Sequence, residues 1–467
     1  MVERIDIANV TIWGMPVGAV AWQGTATEGH GTFQYHRSFL AKGLDLSPIH
    51  MGLKEALVGD GIFAFRKRSP DPELDTFKGL PGLLADCLPD KFGNAVIDAW
   101  LARQGRDSSS FNPVERLCYT GTRGMGALEF QPPLNSRTED TVPIEIAHLV
   151  ELAHQITTKR GALDVSFTAD EKGNGEAMLE ILRVGTSAGG ARAKAVIAMN
   201  DEGHIVSGQT TAPPGYEHWL LKFDGAGDLE LGKTQGYGRV EYAYYLMAKH
   251  CGIEMAECRL LEEGGRAHFM TKRFDRPGGK KLHMQSLCGL AHYDYNQPGA
   301  YGYEQAFAVM RKLRLSKQEA AQQFRRMVFN VIARNQDDHT KNIAFLMDRN
   351  GKWRLSPAYD VMYAHDPHGK WTNNHQMTIN GKRNDFSLQD FVKVAQTINL
   401  GNHKEIIDEI ADGVRRWPEF AEEAGVSSER IVLIGNAFRL SILEKRPVPA
   451  GTTDSGSSDN NNDFGPR

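Results

Sequence analysis

The sequence predicts an α+β fold, with a small β-rich N-terminal part, a mixed second part and a mostly helical C-terminal part. Three observations carry this. From Ile5 to about Phe65 apolar and polar residues alternate with a period of two, as half-buried antiparallel strands require. Short strand-like runs then recur between Ile181 and Phe274 around one helical segment. Beyond them the apolar residues keep a helical period, as in Phe324, Met327, Val328, Val331 and Ile332.

Taken in order, the N-terminal alternation is clearest at 10–13, 18–22 and 31–35, punctuated by glycines. From 80 to 103 the spacing turns helical: Pro81 suits a first helical position, and Phe92, Val96, Ile97 and Trp100 share a face. A glycine-rich turn at 121–126 precedes a strand at 127–130, residues 131–142 read as a linker, and a helix is expected over 144–158. Strands follow at 181–184, 195–199 and 219–223, with turn residues Asn200 to Gly203 after the second. A helix over 239–250 stops at Gly252, and a strand spans 268–274. Ser316 and Glu319 form a capping box for the next helix. The Gly-, Ser-, Asp- and Asn-rich tail, 449–467, reads as disordered.

A chain of 467 residues is long for one core, so packed subdomains are expected at 1–135, 145–275 and 276–447. A net charge of −4 argues against a globally basic nucleic-acid binder. The five cysteines, Cys87, Cys118, Cys251, Cys258 and Cys288, contain no Cys-x-x-Cys pair and read as reduced thiols of a cytoplasmic protein. Asp6 and Asn9 interrupt any signal-like apolar run, and no stretch approaches the ~20 apolar residues of a membrane span, so no membrane association is expected.

The chemistry-bearing segment is 335–342, Asn-Gln-Asp-Asp-His-Thr-Lys-Asn, at the end of a predicted helix. A strand at 343–347, a turn at 348–351 and a return strand at 353–355 lead directly to Asp360. This brings Asp337, Asn342 and Asp360 to one end of a two-stranded ribbon. Phosphoryl transfer needs these groups: a carboxylate to accept the hydroxyl proton, and an amide with a second carboxylate to hold magnesium. Asp337 lies five residues before Asn342, the protein-kinase spacing, and Asp360 follows eighteen after it. Lys341, between them, would neutralise phosphate charge. A polar loop with helix-terminal carboxylates is one alternative. A metal hydrolase using Asp337, Asp338 and His339 is another, although such sites want more histidines at ligand spacing.

Upstream signals add to this. The run 184–194 is rich in small residues around Gly189, Gly190, Ala191, Arg192 and Ala193, which let backbone N–H groups approach phosphates, and Lys194 adds a charge. A tight hairpin would read the same way. Thr186 and Ser187 in this run carry hydroxyls open to phosphorylation. Lys222 sits in an apolar strand, where an ammonium is costly unless paired or facing outward at an edge. Glu241, nineteen residues on, could pair with it, as could Glu230. The segment 270–274, with Lys272, Arg273 and Phe274, lies where a hinge would bind adenine through backbone groups.

At these residues the chain resembles the HipA family of serine/threonine kinases, the toxin halves of bacterial toxin–antitoxin systems. The resemblance runs over 79–90 and 123–130 in the N-terminal part, and over 185–194, 273–276, 337–342 and 355–360 beyond. It implies a two-lobed, protein-kinase-like fold using ATP and Mg2+. Asp337 would be the catalytic base, and Asn342 and Asp360 the magnesium ligands. Nucleotide contacts would come from Gly189 to Lys194, Lys222, Lys272 to Phe274 and His339 to Asn342, including Thr340. Ser187 matches the family's autophosphorylated loop serine. Lys272 departs from the acidic residue of the best-known member, which leaves a backbone contact to adenine but no side-chain one. The resemblance also implies a HipB-like helix-turn-helix antitoxin, operator DNA bound mainly through it, and a protein substrate such as an aminoacyl-tRNA synthetase. A small-molecule phosphotransferase and a DNA-bound module with vestigial kinase activity are the competing functions.

Overall fold

The computed structural model describes residues 4–65, 75–134, 146, 149–151, 153, 192–209, 212–225 and 236–443. The expected strand at 181–184, most of the helix over 144–158, Thr186 to Ala191, Glu230 and the 449–467 tail lie outside these residues.

The N-terminal alternation folds as predicted. Strands β1 (Ile7–Ile12), β2 (Met15–Gly24), β3 (Gly29–Tyr35) and β4 (Ile62–Ala64) pair antiparallel, and β5 (Leu128–Gln131) adds to β1, giving the order β4-β3-β2-β1-β5. Helices α1 (Arg37–Leu40) and α2 (Leu53–Val58) lie between β3 and β4. The segment 80–103 is two helices rather than one: α3 (Gly82–Ala85), with Pro81 at its N-cap, and α4 (Lys91–Arg103). Asp90 separates them, because its carboxylate caps α4 by accepting from Gly93 N–H at 2.6 Å. Helix α5 (Pro113–Thr120) opens on an Asn112–Glu115 capping box.

A second antiparallel sheet comprises β6 (Lys194–Met199), β7 (Ile205–Ser207), β8 (Glu217–Lys222), β9 (Cys258–Glu263) and β10 (Arg266–Lys272), ordered β7-β6-β8-β10-β9. One face, with Ala195, Ile197, Trp219, Leu221 and Met270, packs against Phe92, Val96, Ile97 and Leu101 of α4. The N-terminal region therefore closes one face of this sheet. Helix α6 (Tyr237–His250) lies close to β10: a Cβ added at Gly238 would meet Ala267 O at 2.1 Å.

The C-terminal region is helical around a three-stranded sheet of β11 (His283–Ser286), β12 (Ala344–Met347) and β13 (Trp353–Leu355), so the expected ribbon gains a third strand. Its helices are α7 (Leu287–Ala291), α8 (Tyr303–Lys312), α9 (Lys317–Ile332), α10 (Leu388–Thr397), α11 (His403–Arg415), α12 (Trp417–Glu423) and α13 (Ser428–Ala437). The Ser316–Glu319 capping box is formed, and the stripe from Phe324 to Ile332 is fully buried. All five cysteines are buried and free. Among the described residues no helix is long and apolar enough to cross a membrane.

Candidate active site

Helix α9 delivers the central loop. Arg334 turns the chain with a left-handed φ of 58°, and Gln336 N–H then bonds Ala364 O at 3.0 Å. Asp338 anchors the loop from beneath. It accepts from Tyr303 Oη at 2.8 Å and Gln376 N–H at 2.8 Å, and its Oδ2 lies 2.9 Å from His375 Nδ1. With Asp338 buried in that network, its neighbour Asp337 is left at the wall of the cleft, its side chain about half exposed. The Asp337–Asp338–His339 hydrolase alternative loses its second ligand to these bonds. Asn342 donates from Nδ2 to Asp337 O at 2.8 Å, which directs its amide oxygen away from that bond.

Lys222 meets the loop from the second sheet. Strand β8 is central, between β6 and β10, so the edge-lysine alternative does not hold. In register, Lys222 lies opposite Lys194 on one side and Phe269 on the other, all on the face away from α4. Its ammonium lies 2.5 Å from Glu241 Oε1 and 2.5 Å from Asp360 Oδ1. Glu241 is thus a partner, as one of the two sequence candidates. Asp360 has a left-handed φ of 56°, a backbone conformation tolerated by few residue types and one that turns the chain sharply at the ribbon's end.

The electrostatics follow from this clamp. Burial alone would raise the Asp360 carboxyl, but Lys222, and then Lys194, outweigh it and hold it well below the usual carboxylate range. Burial would also lower Lys222, yet Asp360 and Glu241 keep its ammonium above the ordinary lysine value. Asp337, although half exposed at its tip, is raised, chiefly by the desolvation it suffers from the atoms packed around it at the cleft wall, with His339 opposing and Asp360 adding to the rise. One carboxylate is thus held ionised while the other is shifted upward.

Two acids of the N-terminal region reach the same cleft. Asp90 Oδ2 lies 3.3 Å from Lys194 Nζ, and Asp86 bonds Ser286 N–H and Oγ at 2.6 and 2.7 Å while facing Lys341 electrostatically. Neither was singled out as a site residue, because nothing local in the 79–90 run shows that it reaches a strand 100 residues on. The cleft, about 1680 Å3, is lined by Asp90, Lys194, Lys222, Asp337, Lys341 and Asp360 among others.

The other candidates divide. His339, Lys341, Arg192 and Lys272 to Phe274 line the cleft, Arg273 with its guanidinium directed away from it. Lys272 pairs with Glu217 and, at 3.8 Å, with Glu257. Phe274 lies beyond the β8–β10 pairing, which ends at Lys272. Thr340 is buried and donates to Tyr293 O at 2.7 Å. Arg273 is turned inward: with Arg276 it grips Asp275, both reach Gly124 O, and Asp275 accepts from Gly126 N–H at 2.8 Å. Two motifs separated in sequence, 123–130 and 273–276, thus form one buried joint. Ala193 is buried at the start of the sheet, whereas Gly189, Gly190, Ala191 and Ser187 lie outside the described residues.

The family model of the HipA N-terminal domain matches residues 8–131, and that of the HipA-like C-terminal domain matches 186–418. HipA of Shewanella oneidensis MR-1, solved with HipB and its operator DNA, superposes with a TM-score of 0.61 at 16% identity, over 92% of this chain and 94% of that one. A Haemophilus influenzae protein named as a candidate kinase is 28% identical over 138 residues, which cover 26% of this chain and 40% of that relative's length. The β-rich N-terminal region and the helical C-terminal region are thus those of a known fold, and the chain belongs to the HipA family.

Proposed function

We propose that the chain is an ATP- and Mg2+-dependent protein serine/threonine kinase that serves as the toxin of a toxin–antitoxin pair. The observation that carries the reading is the Lys222 clamp on Glu241 and Asp360, set in the same cleft as Asp337 and Asn342. In this reading Asp337 takes the proton of a substrate hydroxyl, while Lys222 and Lys194 face the phosphates. The end of β10, from Lys272 to Phe274, would hold adenine by its backbone.

The residues fit magnesium. Asn342 and Asp360 supply two oxygen donors, as many as this ion takes from protein when phosphates and water complete its shell. Among the described residues no group of three His, Cys, Asp or Glu side chains forms a cage that would bind a metal without nucleotide. When bound, magnesium would neutralise phosphate charge.

Autophosphorylation at Ser187, a cytoplasmic location and a translation-related substrate complete the proposal. The Shewanella complex supports a HipB-like antitoxin and operator DNA as partners; in this reading the antitoxin is a helix-turn-helix protein, and the DNA is reached mainly through it. Incubation with labelled ATP and Mg2+ should label Ser187 in the wild type, with labelling at least about 100-fold lower in Asp337→Asn. Labelling of a metabolite with no protein labelled would replace this reading with a small-molecule phosphotransferase.

A further inference from the structure

We propose that the small cavity beneath the 335–342 loop is a water site, and that Gln323, Arg326 and Asn335 are positioning residues that hold the His339 imidazole through it. The part of this that concerns Asp337 rests on the kinase reading above.

The cavity, about 30 Å3, is bounded by α9 and the loop, and is lined by Gln323, Arg326, Asn335 and His339 among others. Each of these four carries a buried polar atom with no hydrogen-bond partner among the described residues: Gln323 Oε1, Arg326 Nε, Asn335 Oδ1 and His339 Nδ1. Gln323, Arg326 and Asn335 are at most 6% exposed. Buried polar atoms are rarely left unpaired, because each gives up its hydration for nothing in return. Four of them around one cavity point to a shared partner.

The neighbouring hydrogen bonds define that partner. Asn335 donates from Nδ2 to Asn330 Oδ1 at 3.0 Å, Asn330 from Nδ2 to Tyr303 Oη at 3.0 Å, and Tyr303 to Asp338 Oδ2 at 2.8 Å. Both amides are thereby oriented, so Asn335 Oδ1 is an acceptor that needs a donor. Arg326 is the converse: Nη2 donates to Ser356 O at 2.7 Å, and Nε–H needs an acceptor. A group that both donates and accepts serves the two. The guanidinium would repel a metal cation, and Asp338 and Asp360, which line the same cavity, would repel an anion. Water meets each demand, and the volume admits about two molecules.

His339 gives the site its consequence. It lines both the cavity and the cleft, with Nε2 3.8 Å from Asp337 Oδ1, too far for a hydrogen bond. Its ring lies tilted against Tyr295 at 5.4 Å. Water at Nδ1 therefore sets the rotation of the imidazole and, through the tautomer, which form of Nε2 faces Asp337.

Two measurements on the full chain test this. A high-resolution crystal structure of the wild type soaked in bromide, which needs no variant, should show water within hydrogen-bond distance of Asn335 Oδ1 and Arg326 Nε and no anomalous peak there. A bromide peak, or direct bonds among the four side chains with no water between them, overturns the site. Gln323→Met keeps the length of the side chain and removes the acceptor. It should lower kcat for transfer from labelled ATP about tenfold, with KM for ATP within about twofold of wild type. Combined with His339→Gln it should add nothing to the loss from His339→Gln alone, because both act through one imidazole. Wild-type kcat in Gln323→Met, a KM that rises in step with the kcat loss, or losses that multiply in the double variant overturn the positioning role. A wild type that transfers no phosphate from ATP overturns the kinase reading and that role with it, while the density still decides the water site.

Discussion

At Asp337 two adjacent acids have opposite fates. Asp338 is consumed by Tyr303, His375 and Gln376, while Asp337 is left at the cleft. Asp337→Asn should cut phosphoryl transfer by about 10²–10⁴-fold with an unchanged melting curve, measured with labelled ATP. Because burial raises the Asp337 carboxyl, the acid limb of kcat/KM should lie above the ordinary aspartate value of ~3.9, activity rising as Asp337 ionises. His339 opposes that rise, so His339→Gln should move the acid limb to higher pH, and a profile that moves down would refute its role. Lys222→Met removes the ammonium that lies 2.5 Å from both Glu241 and Asp360 and should weaken Mg–ADP binding at least about tenfold by calorimetry.

At the scale of elements, α6 matters because it carries Glu241 to Lys222. Its approach to β10 is permitted by Gly238, where any Cβ would strike Ala267 O at 2.1 Å. Gly238→Val should push the helix off the sheet, costing about 1–3 kcal/mol in a denaturation experiment and weakening nucleotide binding with it. The ribbon of β12 and β13 was readable because Asp348 to Gly351 is turn chemistry between apolar runs. Its third strand, β11, was not, since pairing partners 60 residues away leave no local mark. The break between α3 and α4 was missed for another reason. Pro89 and Asp90 interrupt the helix without disturbing the apolar period on either side.

Across the whole molecule, the buried Arg273–Asp275–Arg276 group joins the N-terminal Gly124–Gly126 turn to the end of β10. Burial would raise the Asp275 carboxyl, but the two guanidinium groups outweigh it and hold it far below the usual range. A depressed folded-state pKa means this stabilisation is present above the unfolded value of ~3.9 and is lost as pH falls below it. Asp275→Asn should cost about 3–5 kcal/mol, because it leaves two buried cations without their partner. Urea titrations at pH 7 and pH 3 check both statements: the wild-type advantage over the variant should shrink at the lower pH.

The proposed phosphoryl-transfer centre was legible in the sequence because its parts are short-range. Asp337, Asn342 and Asp360 are spaced by one loop and one hairpin, and Lys222 stands out as a cation in an apolar strand. Local periodicity and turn chemistry determine such features. Only the tertiary structure decided the pairing. Glu241 became the partner of Lys222 through the packing of α6 on β10, and Asp338 was removed from the site by side chains 35 and more residues away. Asp86 and Asp90 entered the cleft because α4 covers the second sheet. Contacts of that range depend on which apolar faces find each other, and a single sequence records the faces without their partners.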